Sequence, residues 1–175
     1  MPSTEQDLQF LMESLPQLQD YLLSNELYWP LNASLPRLTL GSALLALARI
    51  SAIQPVEAEK LRGQLETIRA KWRVAWEKKT AREMANRLRL WSNFLSDYRN
   101  APDQYAGFYP QEVRGRVILQ LLLAETPNAP EKSALADLDT MLKSRLISRK
   151  FVWDAALQGA FPKTDFWFLY GTIAP

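Results

Sequence analysis

The feature that most constrains the fold is a stretch of the chain, residues 56–98, with no proline and only one glycine, Gly63. It is rich in Glu, Lys, Arg, Ala and Leu, which are all strong helix formers. At a rise of 1.5 Å per residue, one continuous helix over this stretch is about 65 Å long. We therefore predict an all-α fold, in which residues 1–175 form a single-domain helical bundle of about six or seven helices around this central helix.

The apolar residues of this long stretch form two stripes at helical spacing. The first stripe comprises Leu61, Leu65, Ile68, Trp72, Ala75 and Trp76, and the second comprises Met84, Leu88, Trp91, Leu95 and Tyr98. The stripes are out of phase around the axis by roughly a third of a turn or more, which a straight heptad seam does not allow. Either the two halves face different neighbours, or the helix bends near residues 78–81.

A third face of the long stretch is basic. Five cationic residues fall within about 40° of one another around the helix axis, with no acid in that band. This basic ridge comprises Lys60, Lys71, Lys78, Arg82 and Arg89. A row of fixed positive charges gains affinity for a polyanion by releasing counterions from its phosphates. The same pattern is typical of a solvated helix face, so both interpretations stay open.

Charged residues at i,i+4 spacing indicate stabilising surface pairs along the same stretch. Pairs at this spacing include Arg73 with Glu77, Lys79 with Glu83, and Glu83 with Arg87. We expect these side chains to lie on the solvent-facing side of the helix, where each pair contributes a few tenths of a kcal/mol.

The remaining segments carry signals for shorter helices. A capping box at Ser3 predicts a helix start, and Pro16 is expected to end that helix before a second short one. Helices are also predicted over residues 110–125 and 131–146, joined by a short linker rich in turn-forming residues. Arg114 and Arg116 lie near the start of the first of these helices, where the helix dipole disfavours a base unless an anion is nearby. We expect both arginines to be exposed, with an anion site as the weaker alternative.

The absence of two residue types limits the chemistry of this chain, which contains neither histidine nor cysteine. This excludes disulfides, thiol nucleophiles, the usual zinc ligand sets and Ser-His-Asp triads. All six glycines are isolated, so no glycine-rich phosphate loop is present. We predict no catalytic residue, no metal site and no cofactor. A carboxylate-dependent enzyme is kept as an alternative, with the candidate groups Glu112, Asp137, Asp139, Asp154 and Asp165.

The C-terminal segment, residues 151–175, is unusually aromatic and is called the aromatic tail. Its aromatic residues are Phe151, Trp153, Phe161, Phe166, Trp167, Phe168 and Tyr170. Such a density of aromatic rings is poorly accommodated in water. Either the tail folds back between the helices, or it docks into another subunit or partner. The candidate docking residues are Trp153, Phe166, Trp167, Phe168 and Tyr170.

These patterns lead to three functional hypotheses. The favoured one is a non-enzymatic protein-protein interaction or assembly protein, because of the out-of-phase stripes and the aromatic tail. The first alternative is a nucleic-acid or polyanion binder that uses the basic ridge. The second alternative is the carboxylate-dependent enzyme.

Partner and location follow from similar arguments. An apolar stripe that projects beyond the bundle needs a cover, and most soluble oligomers are twofold, so we predict a homodimer with a second protein as a further partner. Nucleic acid ranks after protein as a partner. The N-terminal sequence MPSTEQDLQF lacks the basic region and apolar run of a signal peptide, and no apolar stretch approaches a membrane-spanning length. We therefore predict a cytoplasmic protein without membrane insertion.

Overall fold

The computed structural model describes residues 2–175, in which the chain divides into two compact units. The first unit runs to Glu83, and the second is Met84–Pro175. Seven α-helices and two short β-strands occur in the described residues. This confirms the predicted all-α class and the number of helices, whereas the single-domain assignment stays a prediction. Within the same residues, no helix has both the length and the apolar character needed to span a membrane.

The first unit contains three helices and the start of a fourth: α1 (Thr4–Leu23), α2 (Leu40–Ile53), α3 (Pro55–Lys71) and the first part of α4 (Arg73–Asn100). α1, α2 and α3 pack on one another. The predicted capping box is present, since the Gln6 amide donates to Ser3 Oγ at 3.2 Å. The buried core of this unit includes Phe10, Leu11, Leu18, Tyr21, Leu38, Leu45, Ile50, Leu61, Leu65 and Trp76.

Pro16 does not end the first helix, so the predicted interruption is wrong. It lies inside α1, which continues to Leu23. A proline in a helix interior leaves the carbonyl four residues earlier without its amide donor. Because Met12 and Pro16 are both exposed, water can hydrogen-bond that carbonyl, and burial of the flanking apolar side chains holds the helix together.

The long helix expected over residues 56–98 is two helices, α3 and α4, separated at Trp72. The backbone there has φ −116° and ψ 36°, outside the helical region. The Trp72 amide still donates to the Ile68 carbonyl, and the Trp76 amide to the Trp72 carbonyl, both at 2.9 Å, so the distortion is local. Residues 78–81, the alternative position for a bend, lie inside α4. Because neither proline nor glycine marks Trp72, the pattern of helix breakers carries no sign of this position.

Two residues predicted to form surface pairs are buried instead. Lys79 is 2% exposed and Glu83 is 1% exposed, so their placement on a solvent-facing side is wrong. Glu83 Oε2 accepts a hydrogen bond from the Gly41 amide at 2.8 Å, in the first turn of α2. A carboxylate at this position satisfies one of the free amides at a helix start and interacts favourably with the helix dipole.

The second unit comprises the rest of α4, α5 (Pro102–Tyr105), a 3₁₀ turn (Ala106–Phe108), α6 (Tyr109–Glu125), α7 (Glu131–Arg145), β1 (Leu146–Ser148) and β2 (Gly171–Ile173). The helices predicted over 110–125 and 131–146 agree with α6 and α7 to within one residue. β1 and β2 pair antiparallel, with Leu146 opposite Ile173 and Ser148 opposite Gly171.

The aromatic tail is folded back onto the helices of the second unit. Tyr109 Oη donates to the Phe168 carbonyl at 2.7 Å. Trp153 Nε1 donates to the Pro110 carbonyl at 3.1 Å, and Tyr98 Oη donates to the Ala174 carbonyl at 2.8 Å. The polar atoms of large aromatic side chains thus satisfy backbone groups while the rings are buried.

Arg116 was expected to be exposed, and this is wrong, because it is 3% exposed. Its Nε donates to Asp139 Oδ1 and its Nη2 donates to Asp139 Oδ2, both at 2.8 Å, and Asp139 lies on α7. Its guanidinium carbon lies 4.3 Å from the ring centroid of Phe168 in the aromatic tail. Arg116 therefore joins α6, α7 and the tail through one bidentate pair and one cation-π contact.

Candidate functional site

An open cleft of about 640 Å³ lies in the first unit, and we call it the basic cleft. One wall is formed where α1 ends, by Leu22, Leu23, Ser24 and Asn25. The other wall is formed around the junction of α3 and α4, by Lys71, Trp72, Arg73, Val74, Ala75, Lys78, Lys79 and Arg82. Five of these residues are basic and none is acidic, so the cleft presents one sign of charge on a concave surface.

Three of the five residues of the predicted basic ridge line this cleft. Lys71, Lys78 and Arg82 are all exposed. The structure does not place Lys60 with them, because it lines a separate, largely apolar groove and lies 3.8 Å from Glu57 Oε1. Arg89 belongs to the second unit, where its Nη2 donates to Asn86 Oδ1 at 2.9 Å.

Lys79 is a buried member of the cleft that the ridge pattern missed. Its ammonium donates to the Glu26 carbonyl and to Ser24 Oγ, and it lies 4.4 Å from the ring centroid of Tyr21. Burial lowers the pKa of Lys79, the positive charge of Arg82 lowers it further, and Glu26 acts in the opposite direction. Lys79 thus fixes the chain that follows α1 against α4 and adds a buried positive charge to the lining of the cleft.

The other four cations differ in how strongly the protein engages them. Arg82 Nη1 donates to the Asn25 carbonyl at 2.9 Å, and Arg73 Nε contacts Glu77 Oε1 at 3.0 Å. Within the described residues, the ammonium groups of Lys71 and Lys78 have no ion pair, although Lys71 Nζ lies 5.4 Å from the Trp72 ring. Lys71 and Lys78 are therefore the cations most available to an incoming anion.

The cleft also presents apolar surface beside its charges. Leu23 is 55% exposed and Val74 is 65% exposed, although both are aliphatic. Both line the cleft. A ligand that combines negative charge with an apolar group thus meets complementary groups here.

The candidate docking residues of the aromatic tail lie in the second unit. Trp153 and Phe166 are each 8% exposed, and Phe168 is completely buried. Trp167 and Tyr170 are half-buried, so these two retain surface that a partner can contact. A docking role for the tail stays a prediction, and it falls mainly on Trp167 and Tyr170.

Two of the five carboxylates that are candidates for an enzyme have structural partners. Asp139 pairs with Arg116, and Asp154 Oδ1 accepts from the Ala156 amide at 2.9 Å at the start of a 3₁₀ turn. Within residues 2–175, no group of three or more acidic side chains is arranged to hold a metal ion.

The basic ridge read from the sequence contains three of the four exposed cations of the cleft, but it omits Arg73 and carries no sign of the concave shape. The helical period of residues 71–82 places Lys71, Lys78 and Arg82 on one face, which is a local property. The opposite wall comes from the end of α1, about fifty residues earlier in the chain, and no local pattern connects the two. Comparison of the chain with protein-family models, with curated proteins and with solved structures finds no match in any of the three.

Proposed function

We propose that this chain is a binding protein whose first unit holds an anionic partner in the basic cleft. The observation that supports the proposal is the lining, in which five residues are basic and none is acidic. A bound anion gains Coulomb energy from these cations and releases the counterions that they otherwise attract. The proposal keeps the favoured hypothesis of an interaction protein, but it moves the site from the aromatic tail to the cleft, which contains three residues of the ridge assigned to the polyanion-binding alternative.

A concave surface supports this function better than a linear ridge of charge. Walls of low dielectric around a cleft of one sign focus the electric field and raise the local concentration of the opposite charge. Lys71 and Lys78 are exposed there, and the buried Lys79 belongs to the same lining. Lys60, which belongs to the ridge but not to the cleft, makes the two models experimentally separable.

The test compares two charge-reversal variants that have the same net charge. K71E/K78E removes the available cations of the cleft, and K60E/R89E reverses two ridge cations outside it. We expect K71E/K78E to elute from a heparin column at lower salt and to bind heparin, a sulfated polysaccharide, at least about tenfold more weakly than the unmodified protein does. K60E/R89E should stay close to the unmodified protein. Equal losses in both variants would mean that net charge acts without the cleft, and the proposal would fail.

The homodimer, the second protein partner and the cytoplasmic location stay predictions. Each arises from the sequence arguments about the apolar stripes, the aromatic tail and the N-terminal segment. Salt-dependent attraction by the cleft is compatible with a monomer or a dimer, so the proposed function does not depend on oligomeric state.

A further inference from the structure

We infer that the basic cleft binds a short acidic peptide segment of a partner protein, one that carries an apolar side chain among its carboxylates. This inference rests on the proposed anion-binding function and specifies the chemistry of the anion. It depends on three features of the cleft: the number of available cations, the exposed aliphatic side chains, and the state of its aromatic residue.

The number of available cations suits a short segment. Arg73 is paired with Glu77, and Arg82 donates to a backbone carbonyl of the opposite wall. Lys79 is buried, so Lys71 and Lys78 are the two exposed ammonium groups that an anion can engage directly. A nucleic-acid binder that makes about six to ten phosphate contacts needs a longer basic track than this cleft provides. Two or three carboxylates of a peptide match this cleft more closely.

The aliphatic side chains favour a peptide over a sugar-phosphate backbone. Leu23 and Val74 are both more than half exposed and line the cleft beside its basic side chains. A sugar-phosphate backbone covers them less well, because the small C–H surface of each sugar lies between charged phosphates. A Leu, Ile or Phe side chain between two acidic residues would bury this aliphatic surface while its neighbours contact Lys71 and Lys78.

The aromatic residue of the cleft is poorly placed for stacking on bases. Single-stranded nucleic acids are usually held on exposed aromatic faces. Trp72 is the one aromatic residue in the lining, it is half-buried, and Lys71 Nζ lies 5.4 Å from its ring. A base would therefore have to displace Lys71 from a ring that is already partly covered.

The experiment selects peptides from a displayed library of random segments of about twelve residues, using the full chain as bait. K71E/K78E and K60E/R89E are used as baits in parallel. We expect the unmodified protein and K60E/R89E to enrich peptides with several Asp or Glu residues around an apolar residue, and K71E/K78E to lose them. Circular dichroism melting of each bait checks that these exposed substitutions leave the fold intact.

The enriched peptide is then measured against a second pair of substitutions and a nucleic-acid probe. L23S/V74S removes the aliphatic surface and leaves every cation in place. We expect it to weaken the peptide about tenfold. A labelled single strand of thymidylates, as the competing probe, should bind the unmodified protein more weakly than the peptide does.

The outcomes separate this inference from the proposed function. If the thymidylate strand binds more tightly than any peptide and needs Lys71 and Lys78, the peptide inference is overturned and anion binding stands. The same holds if enriched peptides are acidic but L23S/V74S binds them unchanged. If the library yields no acidic peptide and neither the strand nor heparin binds, both fail.

Discussion

Tyr109 illustrates, at the scale of one residue, how a buried hydroxyl holds the aromatic tail. The side chain is fully buried, and its Oη donates to the Phe168 carbonyl at 2.7 Å. Tyr109→Phe leaves that carbonyl without its donor, so we expect the free energy of unfolding to fall by about 1–3 kcal/mol at neutral pH. Urea denaturation measures the change, and Tyr105→Phe, at a half-buried tyrosine, is the control.

The same hydroxyl predicts a pH dependence. Burial raises the pKa of Tyr109 well above its usual value and outweighs the positive charge of Arg116, which lowers the pKa; the weaker effect of Asp139 raises it. The unfolded chain releases this proton near pH 10, while the folded protein retains it. Stability is therefore lost above about pH 10, by up to about 1.4 kcal/mol per pH unit. Tyr109→Phe has no hydroxyl to titrate, so the difference in free energy of unfolding between it and the unmodified protein should shrink between pH 9 and 11. A difference that stays constant would contradict a raised pKa of Tyr109.

Asp139 provides a second prediction at the residue scale. It is the carboxylate that neutralises the buried Arg116, with two bonds of 2.8 Å. Asp139→Ala leaves a buried guanidinium without its counter-charge, and we expect a loss of about 3 kcal/mol in the free energy of unfolding. Asp137→Ala, at an exposed position of the same helix, should change it by less than about 0.5 kcal/mol. If both substitutions lowered the free energy of unfolding equally, the loss would come from changing α7 and not from breaking the Asp139–Arg116 pair.

At the scale of elements, the β1–β2 pairing depends on a missing side chain at Gly171. A Cβ built there lies 2.8 Å from the Ile147 carbonyl oxygen and 2.6 Å from Leu146 Cγ, so the backbone of β1 would have to move. We expect Gly171→Ala to destabilise the protein by about 1–3 kcal/mol in thermal or urea unfolding.

Gly159 is the matched control within the same tail. It is exposed, a Cβ there meets no atom within 4 Å, and neither glycine has a positive φ. Gly159→Ala should be neutral or stabilising by about 0.4–1 kcal/mol, because it reduces the entropy of the unfolded chain. If Gly171→Ala changed the free energy of unfolding no more than Gly159→Ala does, the close approach of the two strands would not require glycine at residue 171.

At the scale of the whole molecule, the aromatic tail is part of the buried core, so its removal affects stability as well as any association. Phe161, Phe168 and Leu169 are completely buried. Deletion of residues 151–175 should therefore lower the melting temperature and increase binding of a hydrophobic dye, whether or not the protein self-associates. A truncated chain that melts like the full chain would contradict this.

Trp167→Ser tests the predicted homodimer with less damage to the fold, because Trp167 is only half-buried. Within the chain, Lys143 Nζ lies 4.8 Å from the centroid of its ring. If the tail forms the dimer contact, sedimentation should show a fall from twice the chain mass to 20.1 kDa with the fold retained. An unchanged mass would remove Trp167 from the interface.

Local physics was enough to predict the helical class, the capping box at Ser3, the extents of α6 and α7, and the shared face of Lys71, Lys78 and Arg82. Each depends on residues a few positions apart, through helix period, propensity and capping. The distortion at Trp72, the burial of Arg116 and the closure of the basic cleft depend on segments far apart in the chain. Packing between such segments determines which charges are buried and which are exposed, and no local spacing encodes that choice.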